Sequence, residues 1–581
     1  MSSSTASSAT EFRAYLDRDW RQWLEDAPEV ATAVGYPGLN DRWNDDSPAG
    51  VHARRHHLAE SLLKLDRFRP ETLAPEDRLN YDLYRELLVS AEEGIDFGFD
   101  PYPFRFGSPH SLRIPLTQLD GIQQSAAHIS EFQALDTVRD YEDLLARFAS
   151  YPEAVDRNLE LLSTGLRLGF SPPRVTLVGL PEQIRAQLTS DPMSSPILRP
   201  FREFPAGVSE ADRERLTAHA VRSYGEQIAP ALTKLREYLE RSYLPHCRDT
   251  IAATALPKGP EMYSYLVQWQ TTTDLTPQQV HDIGLAEVKR LRGEMEALMR
   301  TTGFTGTFTE FNEYLRTDPK FFFGTAEELL DGYRVIAKKI DPTLGRIFGR
   351  LPRAPYGVLP VPEYSAPTAP SAYYFPGAPK TGRPGYFYAN TFKVGTRPRW
   401  EMEALTLHEA VPGHHLQIAL AQEIEGLPDF RRESGFTAFV EGWGLYAESL
   451  GEELGLYRDP YSKFGQLTYD IWRSIRLVVD TGMHALGWTR EQAIRFFRDN
   501  SGKSDQDIQV EVDRYIVWPG QALAYKIGQL KIRELRTLAE RRLGDRFDLR
   551  AFHDTVLEQG AVTLGVLTEH IERWVDSRMG T

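Results

Sequence analysis

The segment Thr406-Leu407-His408-Glu409-Ala410-Val411-Pro412-Gly413-His414-His415-Leu416-Gln417 constrains this chain most, because it begins as a helix that cannot run on. In the familiar zinc-hydrolase helix, His-Glu-x-x-His, two imidazoles stand one turn apart and reach one ion, while the Glu faces a water. Here the position one turn past His408 is Pro412, which has no N–H to give the His408 carbonyl and whose ring clashes with it. On an ideal helix His414 would be rotated by about 120° from His408, and His415 would share its face but lie roughly 10 Å further on. Neither could share a small tetrahedral ion with His408. A bulge or kink at Pro412-Gly413 would reel one of them back, so the segment reads as a metal helix with two residues inserted.

The plainer reading is a helix ended by proline, with surface histidines. The stretch Phe436-Thr437-Ala438-Phe439-Val440-Glu441-Gly442-Trp443-Gly444-Leu445-Tyr446-Ala447-Glu448 argues against it. It sets Glu441 and Glu448 seven apart, on one face of an otherwise apolar helix. A buried carboxylate needs a partner or a metal. One oxygen ligand is also what His408 and a second His lack, since catalytic zinc takes three protein ligands and leaves a place for water.

Together, His-Glu-Ala-Val-Pro-Gly-His-His-Leu-Gln and Val-Glu-Gly-Trp-Gly-Leu-Tyr-Ala-Glu resemble the bacterial family catalogued as domain of unknown function 885. That family looks like a divergent branch of the gluzincin metallopeptidases. The resemblance implies His408, His414 and Glu441 as ligands of one zinc ion per chain, and Glu409 as general base. It leaves His415 outside the ligand set and places Glu448 just behind it. It extends over the run Arg514 to Gly528 and the stripe Arg476 to His484, and more loosely over Asp77 to Leu88.

Composition narrows the rest. With 82 acidic and 67 basic residues the net charge is −15 and the basic residues are scattered, so a nucleic-acid partner is not expected. A single cysteine, Cys247, excludes an internal disulfide framework, suits a reducing compartment and is expected to be inert. The start lacks a signal-peptide pattern and no apolar run is long enough for a bilayer, so residues 1–10 read as a flexible tail on a cytoplasmic protein with no membrane partner.

Amphipathic periodicity predicts helices at Phe12 to Leu24, His52 to Phe68, Asp77 to Ser90, Tyr141 to Leu168 and Ala211 to Leu244. The aromatic break Phe97 to Phe104 packs on the core or lines a channel. Leu275-Thr276-Pro277 starts another helix, with Thr as cap and Pro in the first position, and Thr325 to Ile340 makes a further one. Ten of the 38 prolines fall between Leu351 and Pro398, which must be loop with short extended pieces. Gly385 to Thr391 is its best strand, expected as an edge that pairs with an extended peptide, with Tyr388 and Asn390 touching substrate.

After Glu448, the predicted helix Phe464 to Leu486 carries Arg473, Arg476, Asp480 and His484 as one polar stripe among apolar residues. Asp480 and His484, one turn apart, could form a carboxylate-oriented imidazole that donates to a developing oxyanion. Arg476 could clamp a substrate carboxylate. A structural salt-bridge network is the alternative for the whole stripe. Tyr515, Tyr525 and Lys526 are candidates for transition-state or substrate contacts.

The expected fold is therefore mainly α: a large multi-helix body with a deep cleft or channel and a small sheet near residues 356–392. Residues 11–350 form the channel wall and 351–581 the metal-binding region. The expected function is a zinc-dependent peptidase acting on short peptides, in which Glu409 activates water, helped by His484 or Tyr515. A zinc hydrolase of a non-peptide amide or other acyl compound, and a non-catalytic helical binding protein with a degenerate metal site, are the two alternatives.

Overall fold

Helices hold 67 % of the residues and strands 3 %, so packing of amphipathic helices carries the structure. The computed structural model describes residues 2–105, 107–363, 366–367, 369–379 and 382–580, with the side chains of residues 2–8 excepted. The first helix, Ser2–Asp26, takes in residues 2–10, which the sequence had suggested as a tail. The next two expected helices are Pro48–Leu65 and Pro75–Ile95. The stretch Tyr141 to Leu168 divides at Ser150 into Val138–Ala149 and Tyr151–Arg167, because Pro152 suits a first turn and not a helix interior.

Seven later helices position the site and are numbered here in chain order. They are α1 (Pro277–Thr301), α2 (Met402–Glu409), α3 (His414–Glu423), α4 (Thr437–Ser449), α5 (Pro460–Ala485), α6 (Asp505–Val517) and α7 (Ala524–Leu543). The cap of α1 is reciprocal: the Thr276 hydroxyl accepts from Gln279 N–H, the Gln279 amide oxygen accepts from Thr276 N–H, and Pro277 takes the first helical position. Such a cap contributes about 1 kcal/mol. Helix α5 is the axle of the body, with every residue from Phe464 to His484 buried. Along one side it packs on α1, and α4 packs on α7.

The small sheet lies where the proline-rich segment was expected to supply it. It comprises β1 (Tyr356–Pro360), β2 (Ala372–Phe375) and β3 (Gly385–Ala389), in the order β1-β3-β2. Strand β3 pairs parallel with β1 and antiparallel with β2. It is thus the central strand, its hydrogen bonds spent on both neighbours, which corrects the expectation of a free edge for a peptide. Phe387 and Ala389 face the core, where the Phe387 ring meets Tyr333 edge-on at 5.1 Å.

The region from Leu116 to Cys247, together with Trp43, closes around its own apolar core. Elements from Phe12 to Val575 share a second and larger one, which runs across position 350. A cavity of about 660 Å³ opens between the two regions, lined among others by Phe97, Phe99, Phe104, Phe170, Trp518 and Gln521. Among the described residues no helix is long and apolar enough to cross a membrane.

Candidate metal centre

Helix α2 ends where Pro412 requires it to. Ala410 N–H still donates to Thr406 O at 2.9 Å, the chain turns through Ala410 to Gly413, and α3 begins at His414. The Val411–Pro412 peptide is cis. A side chain at 413 would overlap the carbonyl oxygens of Leu407 and His408, so glycine alone lets the chain fold back so closely over the end of α2. Trp443 Nε1 donates to the Pro412 carbonyl at 2.8 Å and ties the turn to α4. The expected bulge in one helix is therefore a four-residue joint between two helices.

The joint brings His414 back to His408, their rings 4.7 Å apart and nearly perpendicular. Helix α4 delivers Glu441 between them. Glu441 Oε2 lies 3.6 Å from His408 Nε2 and 3.4 Å from His414 Nε2, and the three donor atoms all fall within 4.8 Å of one another. Behind this triad, His408 Nδ1 donates to Glu448 Oε1 at 2.9 Å, which leaves Nε2 turned toward Glu441. A Cβ at Gly444 would stand 2.9 Å from His408 Cε1, so this glycine makes room for the imidazole against α4. His415 turns away: Nδ1 meets the Tyr374 hydroxyl at 2.9 Å and Nε2 the Ala354 carbonyl at 3.1 Å.

Electrostatics within the triad are uneven. Burial disfavours charge on His408, but the carboxylates of Glu441 and Glu448 outweigh it and raise the imidazole to about 9. Burial pushes Glu441 up, yet its two histidine neighbours bring it well below the usual carboxylate range. Glu441 Oε2 and His414 Nδ1 are buried with no hydrogen-bond partner among the described residues. Glu409, next to His408 and 7 % exposed, has neither hydrogen bond nor ion pair among them, and desolvation raises its pKa.

Beside the triad lies a layer of arginine and aromatic rings. Tyr525 stacks over His408 at 6.4 Å and 17°. Arg476 lies 4.5 Å from the same ring's centre and Arg473 6.0 Å. Arg473 Nη2 also stands 3.4 Å from Glu448 Oε1.

Several residues expected at the site are occupied elsewhere. The Asp480–His484 pair does not form: Asp480 accepts from Tyr263 Oη at 2.6 Å and Gly520 N–H at 3.1 Å. His484 accepts from Ala253 N–H at 3.0 Å and donates from Nε2 to Tyr515 O at 2.9 Å, so neither nitrogen is left for an oxyanion. The Tyr515 hydroxyl donates to Glu511 at 2.6 Å and accepts from Trp472 Nε1 and Arg476 Nε, and is likewise spent. Lys526 is fully buried in ion pairs with Asp470 and Glu287. Asn390 braces its loop through the carbonyls of Ala366, Ala369 and Pro370. Tyr388 stacks on Tyr373 across the sheet at 5.0 Å.

Sequence reasoning passed over Trp443, Gly444 and Glu511. Two glycines inside a helical run, Gly442 and Gly444, were the available signal for a close approach. For Glu511 the signal was its i, i+3 and i, i+4 spacing to Arg514 and Tyr515.

The fold and site define an α-helical protein built around a buried His-His-Glu cluster, with an unpartnered carboxylate next to it. The chain belongs to the family described as bacterial protein of unknown function (DUF885), whose model matches residues 28–571. A solved structure described as a "putative lipoprotein" from Colwellia psychrerythraea is similar over 98 % of this chain and 99 % of that one, at 28 % identity and a TM-score of 0.90. Another, a "putative lipoprotein of unknown function" from Shewanella oneidensis, shares the fold at 18 % identity and a TM-score of 0.69, over 96 % of this chain and 99 % of that one. Comparison with curated proteins finds no match.

Proposed function

We propose that this protein is a zinc-dependent metallohydrolase that cuts short peptides, as its resemblance to the gluzincin metallopeptidases implies. The observation that carries the reading is Glu441 Oε2, a buried carboxylate oxygen facing two imidazole Nε2 atoms with no hydrogen bond of its own. An anion so placed calls for a cation, and two imidazoles with one carboxylate are the donor set of His₂Glu catalytic zinc sites. His408, His414 and Glu441 would hold the ion, and Glu448 would orient His408 from behind. When bound, the ion supplies Lewis acidity toward a substrate carbonyl and lowers the pKa of water.

The remaining work falls to the chain's own groups. Glu409, desolvated and unpartnered, is free to accept a proton from water and return it to the leaving nitrogen, and its raised pKa suits both transfers. Tyr525, its ring stacked on His408, is the candidate for the part that His484 and Tyr515 were expected to play. The cavity of about 660 Å³ has Gln521, not the cluster residues, in its lining, and its size suits a small ligand or a few residues of peptide and not a folded protein.

The test is metal analysis of untagged protein together with a peptide library and the Glu409→Gln variant. Wild type should carry about one zinc per chain. Glu409→Gln should keep the metal and lose roughly 10²- to 10⁴-fold in turnover. Protein that takes up no divalent metal, or a Glu409→Gln variant working at the wild-type rate, would sink the reading.

A further inference from the structure

We infer that Arg476 holds a free carboxylate of the substrate beside the metal centre, so that the site takes short peptides by their C-terminal end. The inference deepens the peptidase reading and rests on it for the identity of the substrate, though the anion site can be tested alone.

Three guanidinium groups gather here against two carboxylates. Arg473 faces Glu448, at 3.4 Å. Arg476 and Arg514 share one carboxylate oxygen, Glu511 Oε2, at 3.1 and 3.0 Å. Of the other acids near this layer, Glu401 is spent on Lys503 at 2.9 Å and Asp480 on Tyr263 and Gly520, while Glu409 and Glu441 are counted with the cation that the His-His-Glu cluster would hold. The layer is dry: Arg476 is 4 % exposed and Glu511 7 %. A surplus positive charge in such a place is costly unless an anion joins it.

Arg473 Nε, Arg476 Nη1 and Arg514 Nε are this layer's buried donors without a partner among the described residues, and the Arg476 guanidinium lies nearer the Tyr525 ring than that of Arg473. Arg476 uses Nε on the Tyr515 hydroxyl at 2.9 Å and Nη2 on Glu511, while Nη1 is buried with no partner among the described residues. Its guanidinium lies against Tyr525, and the same Tyr525 ring lies against His408, the proposed metal ligand. The free donor and the triad thus border one aromatic ring. Gln521, which lines the large cavity, reaches the Tyr525 hydroxyl at 3.5 Å and accepts from Arg514 Nη1 at 2.8 Å, so the arginine layer also borders the space through which a ligand would arrive. An unpaired, buried guanidinium N–H beside the cluster matches a carboxylate oxygen. A peptide held there by its C-terminal carboxylate satisfies this donor, whereas an amidated or internal segment leaves it unmet.

The experiment uses zinc-loaded Glu409→Gln protein, which turns over slowly, and titrates it calorimetrically with hippuryl-phenylalanine and with the C-terminal amide of the same compound. The acid should bind at least about tenfold more tightly than the amide, since only the acid makes the charge-assisted bond. Adding Arg476→Met should remove that preference while leaving Glu511 paired one to one with Arg514, and Arg476→Lys should restore part of it. Equal affinities for acid and amide, no binding of either, or a preference that survives Arg476→Met would overturn the proposal, and the first two need no change at Arg476. An Arg476-dependent preference in a protein whose wild type hydrolyses no peptide would leave the carboxylate site standing and remove the peptidase reading.

Discussion

Adjacent turns of α5 carry the same kind of side chain to opposite ends. At Asp480 and His484 every polar atom finds a partner, most of them on the backbone: Gly520 N–H, Ala253 N–H and the Tyr515 carbonyl, with the Tyr263 hydroxyl completing the set. At Arg473 and Arg476 the partners include the carboxylates of Glu448 and Glu511 beside the Tyr469 carbonyl and the Tyr515 hydroxyl, and Arg473 Nε and Arg476 Nη1 are left over. Both turns are buried, so exposure does not separate them. Satisfaction does: a buried polar group whose bonds are complete belongs to the fold, and one with an orphaned donor beside a metal-type cluster marks a place for a ligand.

The largest effect is expected on the arginine side. Glu448 is the link between Arg473 and His408, the proposed metal ligand. Glu448→Ala removes the acceptor that orients the imidazole, and zinc affinity measured against a chromophoric chelator should fall about 10- to 100-fold. It also leaves Arg473 buried without its counter-ion, at a cost of about 3–5 kcal/mol in urea unfolding. An unchanged zinc affinity would mean that Glu448 serves the fold alone, and the contrast between the two turns would weaken accordingly.

On the satisfied side the effects should separate. His484→Ala strands the Ala253 N–H and the Tyr515 carbonyl in the core and should destabilise by about 2–4 kcal/mol. Zinc content and affinity should stay at wild-type levels. Were zinc binding to fall along with stability, the two turns would be coupled and the division drawn here would be wrong.

The same contrast marks where the sequence could be read and where it could not. That one of the two following histidines returns to His408 was legible because proline and glycine impose a break in the helix. Heptad spacing put Glu441 and Glu448 on one face, while the choice of His414 over His415 came from the family resemblance. The stripe on α5 was legible as a buried polar row from its apolar neighbours. Which half of that row belonged to the site was not, since the partners of Asp480 and His484 come from Ala253, Tyr263 and Gly520, distant in the chain and bonded partly through backbone atoms that carry no side-chain signal. Strand β3 was placed for the same local reasons and its rank in the sheet missed, because strand order depends on which distant segments pair. Lys526 shows the limit from the other side, as its acids, Asp470 and Glu287, lie on α5 and α1.

The smallest effect is also the sharpest, because the satisfied turn contains two groups whose titrations oppose each other. Burial lowers His484 from its ordinary 6.5 to about 4. Below pH 6.5 the unfolded chain therefore gains a proton that the fold refuses, and this contribution weakens the protein as the pH drops toward 4. Burial raises Asp480 from its ordinary 3.8 to about 7, against the hydrogen bonds from Tyr263 and Gly520. Between pH 7 and 4 the fold holds a proton that the unfolded chain lacks, so this contribution strengthens the protein over nearly the same window. They are worth on the order of 3 kcal/mol for His484 and about 4 kcal/mol for Asp480 at most, and in the wild type they largely cancel. Asp480→Asn should expose the histidine, giving a protein that loses urea stability toward pH 4 relative to wild type, and His484→Gln should do the reverse. Because both profiles are referred to wild type, the other buried histidines, His415 and His553, drop out of the difference. Profiles that run parallel would show that these two groups share one proton and titrate as a pair, and the turn would then hold a mobile proton instead of two fixed, fully bonded groups.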